Sequence, residues 1–389
     1  MPRLAAIVRS ARRIRCAVAF AFLAAPFFAG PLLHADATAS PEPWQRAIAP
    51  WSWSFPRDHG AHPDFKTEWW YFTGNLKEAK TNRPFGYQLT IFRQGIQFKP
   101  AQLTSKWAVR DFYFGHFTIS DIEANQFHVA EKVSRGALGE AKAATGSMDV
   151  VLGPWSITQQ ANEQINLVAT EHDLAINFTA QPAKPLILEG IHGLSQKADG
   201  VGEASYYYSY PRLATEGSLR VGDKTYDVSG LSWFDHEFST SSLGKNQVGW
   251  DWFCIQLDNQ EEIMLYAMRD QSGAMDPVSE GTWVKADGTS ERLLPGSFTI
   301  TKKGDWHSPH SGAVYPSGWH VVVPGHHADL TVTPAMADQE LHLTKMGALD
   351  YWEGACSVDG TLANAPAKGV GYTELTGYAG TLQPGMKGL

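Results

Sequence analysis

Residues Thr67 to Leu76 read TEWWYFTGNL, four large aromatics in a row between a glutamate and a Gly-Asn turn signal. A helix here would carry aromatics all round, whereas a strand carries them on both faces. A half-buried strand needs only one apolar face, so the stretch predicts a strand covered on both sides. The rest of the chain is β-like nearly throughout. Short runs of Val, Ile, Thr, Tyr, Phe and Trp alternate with turn signals such as VSGL, VKADGTS, TKKGDW and SVDGTL. No long segment shows helical periodicity with start and stop signals. Thirty-six glycines and fourteen tryptophans suit a twisted, closed β-architecture.

The chain repeats itself. EWWYFTGNL followed by GYQLTIFRQ has a counterpart in GWDWFCIQL followed by IMLYAMRD, and both return strands end in an arginine, Arg93 and Arg269. LEG (Leu188–Gly190) and WEG (Trp352–Gly354) come next. They are followed by ADGVGEASYYYSY and AKGVGYTELTGY. The offsets are 182 for Trp70 and Trp252, 176 for the arginines, 164 for the Glu-Gly pairs and 169 for the Gly-Val-Gly runs, a drift that loop insertions produce. About eight strand candidates per half predict an all-β protein of two tandem antiparallel barrels, each large enough for one small ligand. The expected division is 57–211 for the first barrel and 212–389 for the second, with the boundary at Tyr210-Pro211.

Ahead of the barrels, residues 38–56 read as a linker or N-terminal strap. Residues 1–37 read as a cleaved secretory signal peptide: five arginines and no acid up to Arg15, an apolar run, then an Ala35-x-Ala37 site. A retained membrane anchor is the alternative, weakened by Pro26, Gly30 and Pro31 within the run. The expected location is therefore periplasmic or secreted, with membrane association at most peripheral. Removing residues 1–37 takes five arginines and Asp36 from 32 basic and 40 acidic residues, leaving 27 against 39 and a net charge of −12. No basic patch remains for nucleic acid. Cys254 and Cys356 either form one bridge or stay as two buried thiols, and their spacing makes neither a metal site nor a disulfide framework.

TEWWYFTGNL, GLSWFDHEF (Gly230–Phe238), GWDWFCIQLD and the closing YWEGA…GVGYTELTGY occur in an order that resembles the AttH and carotenoid 1,2-hydratase-like family, over about Asp58 to Gly380. The resemblance implies tandem lipocalin-like barrels. It implies one of several activities, since the family holds exported proteins associated with ABC-type transport systems, hydratases of carotenoid ends and related cyclisation catalysts. A permease complex is thus an implied partner. The family's hydratases tend to carry an acid in the return strand after the second aromatic hairpin. Here that strand, EEIMLYAMRD, has no acid between Met264 and Met268, so the resemblance leaves Asp235, Glu237 or Asp251 as the proton donor.

In WFDHEF, alternation puts Trp233, Asp235 and Glu237 on one face and Phe234, His236 and Phe238 on the other. His236 is then a titratable group among aromatics. It is either an acid for an alkene, with cation–π support from the rings, or a hydrogen-bonded structural histidine. Consecutive strand residues cannot converge on one ion, so no metal is expected at Asp235-His236-Glu237. Asp251 and Glu68 stand beside tryptophans. Each is either paired, Glu68 with Arg93 and Asp251 with Arg269, or a carboxyl of raised pKa beside a cavity. The catalytic candidates are thus His236, Asp235, Glu237 and Asp251. The ligand-lining candidates are Glu68, Trp70, Phe72, Tyr206, Tyr208, Phe234, Phe238, Trp252 and Tyr266. There is no Gly-x-Ser-x-Gly elbow, P-loop or dinucleotide fingerprint, and no cofactor is expected. Three readings follow: a carrier of a hydrophobic, lipid-like or isoprenoid-like ligand, an acid-catalysed hydratase, lyase or isomerase of an isoprenoid alkene, and a structural envelope protein.

Overall fold

TEWWYFTGNL is the body of β1 (Thr67–Glu78), and it is covered on both faces. The computed structural model describes residues 43–99, 105, 107–241, 243–345 and 349–380, so the signal-peptide reading of residues 1–37 lies outside the described residues. Glu68, Trp70 and Phe72 point into one hydrophobic core, while Trp69 and Tyr71 point out of it into another apolar layer. Gly74 lets the strand pass Tyr87. A Cβ there would stand 2.4 Å from the Tyr87 ring and 2.7 Å from the Ser232 hydroxyl.

The described residues are nearly all-β, antiparallel strands joined by turns and loops, with 3-10 turns at Arg57–His59 and Pro324–His326. After β1 come β2 (Pro84–Gly95), β3 (Asp111–Asp121) and β4 (Gln126–Arg135). Five shorter strands follow: β5 (Ala141–Ala143), β6 (Asp149–Leu152), β7 (Trp155–Gln159), β8 (Ile165–Glu171) and β9 (Leu174–Pro182). Two fragments, β10 (Ile187–Leu188) and β11 (Leu194–Gln196), lead into the long pair β12 (Ala204–Val221) and β13 (Lys224–Ser239). The sheet order is β4-β3-β2-β1-β13-β12-β9-β8-β7-β6-β5. β6 packs back onto β3 and β4, so the sheet curls into a nearly closed barrel.

The second sheet opens with β14 (Gln247–Leu257), β15 (Glu262–Asp270), β16 (Glu280–Val284), β17 (Ser290–Leu293) and β18 (Thr299–Lys302). A separate hairpin, β19 (Asp305–His307) and β20 (Val314–Pro316), precedes β21 (Trp319–Val323), β22 (Ala328–Pro334) and β23 (Glu340–Leu343). The closing pair is β24 (Leu349–Leu362) and β25 (Ala365–Leu375). Its order is β17-β16-β15-β14-β25-β24-β22-β21-β18. Side chains from strands as distant as β15, β17, β21 and β24 meet in one core, which requires this sheet to curl as well.

The two orders match. In each half the aromatic opening strand lies between its return strand and the last strand, and the last strand pairs with a long partner. Three expectations need correction. The division at Tyr210-Pro211 cuts through β12, and the passage between sheets comes after Ser239. Pro211 marks a β-bulge, where one extra residue separates Tyr210/Phe234 from Leu213/Ser232; a residue without N–H is tolerated there. Trp70 and Trp252 are not equivalent, because Trp70 fills the first core and Trp252 faces out of the second sheet. An even offset of 182 matches the wrong faces, since a slip of one residue flips a strand. The Tyr-rich β12 corresponds by topology to β24, and GVGYTEL in β25 corresponds to the WFDHEF strand, β13.

Residues 43–66 pack as a strap against the first barrel, extending past the 38–56 read as a linker or strap, of which 38–42 lie outside the described residues. Trp51, Trp53 and Phe55 pack against Tyr206, Tyr208 and Phe238. The Trp70 indole donates to the His59 carbonyl at 3.0 Å, which ties β1 to the strap. The described residues form a single compact unit, in which the outer faces of the two sheets pack together. Asn75 donates to the Gly371 carbonyl at 3.0 Å, Ser120 to Gln339 at 2.7 Å, and Lys184 reaches Glu262 at 2.8 Å across this seam. The second aromatic face of β1 therefore belongs to the seam.

Candidate functional site

The seam is not filled completely. A cavity of about 190 Å³ opens between the sheets, with apolar walls. Trp69 and Tyr71 of β1, Phe92 of β2, Phe114 and His116 of β3, Trp250 and Trp252 of β14 and Met268 of β15 supply most of them. Each is the outward residue of an alternating strand, so sheet pleating alone delivers them to one space. The polar groups are Asp235, Glu237 and Ser239 of β13, Tyr207 of β12, Tyr266 of β15, Tyr351 of β24 and Glu374 of β25, with Lys197 from the loop after β11, Ser241 after β13 and Thr376 after β25.

Asp235 sits at the wall, 4% exposed. It accepts hydrogen bonds from the Tyr207 hydroxyl at 2.7 Å, the Ser209 hydroxyl at 2.5 Å and the Trp233 indole at 2.6 Å. No cation pairs with it among the described residues. Desolvation dominates, opposed by those three donors and reinforced by Glu237, and pushes Asp235 up to about 7. Glu374, held by the Trp250 indole at 3.1 Å, is likewise pushed up to about 7 by burial, with Asp235 and Glu237 adding to the effect. Glu237 differs, being paired with Lys197 at 3.3 Å. The Lys197 ammonium also lies 4.8 Å from the Tyr207 ring centre and 4.5 Å from that of Tyr266. Behind the cavity, Tyr71 donates to Glu353 at 2.5 Å, and Glu353 is fully desolvated and held well above the usual carboxylate range. Burial keeps His116, bonded to the Tyr351 hydroxyl at 2.8 Å, neutral with a pKa lowered to about 3.

A second titratable cluster lies inside the first barrel, under the strap. Glu68 accepts from Arg93 Nε at 2.9 Å, His62 Nδ1 at 2.8 Å, His236 Nε2 at 3.0 Å and the His62 backbone N–H. Its burial is overcome first by the Arg93 charge and then by the histidine hydrogen bonds, which hold Glu68 well below the carboxylate range. His62, with both ring nitrogens on carboxylates (Glu68 and, at 3.2 Å, Asp58), is raised despite burial. His236 is fully buried and stays neutral, lowered by desolvation. Its Nδ1 faces the Tyr208 hydroxyl at 3.2 Å. His62, Glu68 and His236 bring three ligand-capable atoms within 4.8 Å of one another. Each atom already has a hydrogen-bond partner, and Arg93 takes the other carboxylate oxygen, so the Glu68 charge is met from within the protein.

The strand alternation expected for WFDHEF holds, and it separates the candidates. Asp235, Glu237, Trp252 and Tyr266 line the cavity. Glu68, Trp70, Phe72, Tyr208, Phe234 and His236 belong to the interior of the first barrel. Tyr206 and Phe238 pack under the strap. His236 therefore stands one residue from the cavity and on the wrong face to reach it. Glu68 is paired with Arg93, and Asp251 with Arg269 at 2.8 Å and with the Tyr378 hydroxyl at 3.0 Å, as in the structural alternative for both. Cys254 and Cys356 are free and buried, in different cores. Tyr71, Tyr207, Lys197 and Glu374 were missing from the candidates. Tyr207 was legible as the outward tyrosine between Tyr206 and Tyr208, and Glu374 as the lone acid of GVGYTELTGY. Nothing in the sequence marked Lys197.

Comparison with known proteins agrees with this architecture. A family model described as AttH-like matches residues 46–378. The crystal structure of an AttH-type protein from Nitrosomonas europaea superposes with a TM-score of 0.76 at 32% identity, covering 86% of this chain and 99% of that one. Kievitone hydratase from Nectria haematococca shares the fold at a TM-score of 0.61 and 17% identity, over 87% of this chain and 98% of that one. CghA, solved with Sch210972, shares it at 0.52 and 12%, over 81% and 89%. No curated protein matches the sequence. With the family match spanning both sheets, the strap and every wall of the cavity, the chain belongs to the AttH-like family.

Proposed function

We propose that the cavity between the sheets binds an apolar small molecule and works on it as a lyase or isomerase of the hydratase type, by protonating an alkene or expelling water. The observation that carries this reading is the pair of carboxyl groups, Asp235 and Glu374, on the walls of one aromatic cavity, with no cation among the described residues paired to either. A neutral carboxylic acid at near-neutral pH can donate a proton, and a second carboxyl can take one from water. Protonation of an alkene leaves a carbocation. The faces of Trp69, Tyr71 and Trp252 would steady it by roughly 0.5–2 kcal/mol each. His236 has no part in the step. The hydratase among the structural relatives shows only that the fold accommodates such chemistry.

The test is solvent isotope exchange. A panel of acyclic isoprenoid and aryl-substituted alkenes is incubated with the protein in deuterated water and analysed by mass spectrometry. Deuterium entry or hydration that disappears in Asp235→Asn supports the reading. A panel that stays unlabelled at all pH values between 5 and 8 sinks it.

The reading as a carrier is favoured by one feature, the predominance of aromatic wall over polar groups in the same cavity. Native mass spectrometry of the purified protein, followed by extraction, distinguishes the two. A lipid or isoprenoid recovered unchanged, with no exchange, favours the carrier. Work outside the cytoplasm, with a transport complex as neighbour, is part of this proposal and rests on the sequence of residues 1–37 and the family resemblance alone. Detection of a mature N-terminus near Thr38 in secreted or periplasmic fractions would test it.

A further inference from the structure

The LEG landmark is absorbed by neither the fold nor the chemistry above. Glu189 of LEG is fully buried and has no cationic partner among the described residues. It lies between β10 and β11, where its backbone N–H donates to the Tyr207 carbonyl at 3.0 Å and so anchors it beside β12. The Thr282 hydroxyl donates to one of its carboxyl oxygens. The other lies 3.0 Å from the Ser209 hydroxyl oxygen, and that same hydroxyl oxygen is 2.5 Å from Asp235.

A serine hydroxyl has one proton. Between two carboxylates it could donate to only one, and the other contact would set two acceptors against each other in a desolvated site. Both contacts are satisfied when the pair Asp235 and Glu189 retains a proton. Either Glu189 donates to Ser209 and Ser209 to Asp235, or the chain runs in reverse. The groups around the pair add no compensating charge. Tyr207, Glu237, Cys254 and Glu374 face Asp235, while Glu280 and Tyr207 face Glu189. The acids facing the pair hold the cations there, Lys197 on Glu237 and Arg292 on Glu280.

We infer that Asp235, Ser209 and Glu189 form a proton relay, with Glu189 as the reservoir that restocks Asp235, an inference that rests on the hydratase-type reading for its use. The steps balance. With the pair's proton on Glu189, Ser209 passes its hydroxyl proton to Asp235 and takes the one from Glu189. Asp235 then gives its proton to the alkene carbon, which leaves both carboxyls ionised. The attacking water sheds a proton when its oxygen bonds to the carbocation, and that proton refills the pair. The net change is addition of water. Glu189 acts through Ser209 and touches no substrate, so it is a positioning residue.

The experiment is infrared titration of the protonated carboxyl stretch in the full chain between pH 4 and 9. Wild type, Glu189→Gln, Ser209→Ala and Asp235→Asn are compared after thermal melts establish that each is folded. The relay predicts a two-step titration for the wild-type pair. Glu189→Gln keeps the shape and the hydrogen-bond acceptor, yet leaves a single step for Asp235, moved down by about one pH unit as the neighbouring carboxylate charge disappears. Asp235→Asn must move the Glu189 step down in the same way, because the coupling is reciprocal. Ser209→Ala must change the separation of the two steps. Asp235 titrating at an unmoved pH in Glu189→Gln overturns the relay, as does a Glu189 step unmoved in Asp235→Asn. The readout needs no substrate. Coupled titration without any deuterium exchange keeps the relay and refutes the reaction, and exchange with an uncoupled pair does the reverse.

Discussion

Asp235 and His236 are adjacent in the chain and open onto different compartments. The Asp235 carboxyl faces the cavity between the sheets, and the His236 ring lies inside the first barrel, 4.9 Å from the Trp70 ring centre and 3.0 Å from Glu68. Substitutions at the two positions should therefore fail in different ways. Asp235→Asn removes the proton donor and should lower any exchange or hydration rate by about 10²–10⁴-fold while leaving the melting curve nearly unchanged. His236→Gln should cost about 1–3 kcal/mol of stability through lost buried hydrogen bonds, with the rate per folded molecule kept. Urea unfolding together with the isotope assay separates them, and a rate loss in folded His236→Gln would return this histidine to the mechanism.

Arg93 is the counter-charge of the barrel cluster, 2.9 Å from both Glu68 and Asp111 and bonded to the His62 and Phe65 carbonyls of the strap. Removing it leaves Glu68 buried with only histidines to meet its charge. Arg93→Ala should lose about 3–5 kcal/mol, measured by denaturant titration. The strap should loosen with it, seen as earlier proteolysis between residues 43 and 66.

The cavity acids make a pH signature of definite sign. Glu374 titrates near 4 in the unfolded chain and is pushed up to about 7 in the folded one. Its contribution to stability is fully present below pH 4 and is lost as pH rises through 7, because the unfolded chain ionises first. The stability of the wild type relative to Glu374→Gln should fall by roughly 1–3 kcal/mol between pH 4 and pH 8. Parallel melts of the two proteins across that range check it, and a difference that stays level would show Glu374 ionised in the native state.

Trp252 stands on the cavity wall, its indole donating to the Tyr207 hydroxyl at 3.2 Å and its ring 5.4 Å from that of Tyr71. Replacing it by Ala removes a large apolar face and frees Tyr207. The affinity for any apolar ligand of the cavity should drop about tenfold, or roughly 1.4 kcal/mol, by calorimetry. Trp155→Phe, in the core of the first barrel, is the control and should leave the affinity unchanged.

Much of this was written locally. Period-two alternation in TEWWYFTGNL, WFDHEF and GWDWFCIQL fixed which residues share a face, and the spaced arginines were enough to anticipate the Glu68–Arg93 and Asp251–Arg269 pairs. The aromatic opening strands and their arginine-ended return strands carried the start of the duplicated order, while the Gly-Val-Gly runs matched β12 to β25, which are not equivalent. Alternation has no sign, however. It says that Asp235 and His236 face apart, and nothing in the strand says which face meets a core and which meets the other sheet. That choice fell to the packing of two curled sheets, outer face against outer face. It sent His236 into a closed hydrogen-bonded network and drew Asp235, Glu374, Tyr207 and Lys197 from distant parts of the chain into one desolvated space. The same packing set Glu189 behind Ser209, a link through one hydroxyl between two carboxyls 46 positions apart that only the tertiary fold creates. Strand identity, facing and repeat order follow from residue chemistry along the chain. Which carboxyls stay neutral follows from what surrounds them in three dimensions, because desolvation and the absence of a cation are properties of the folded neighbourhood.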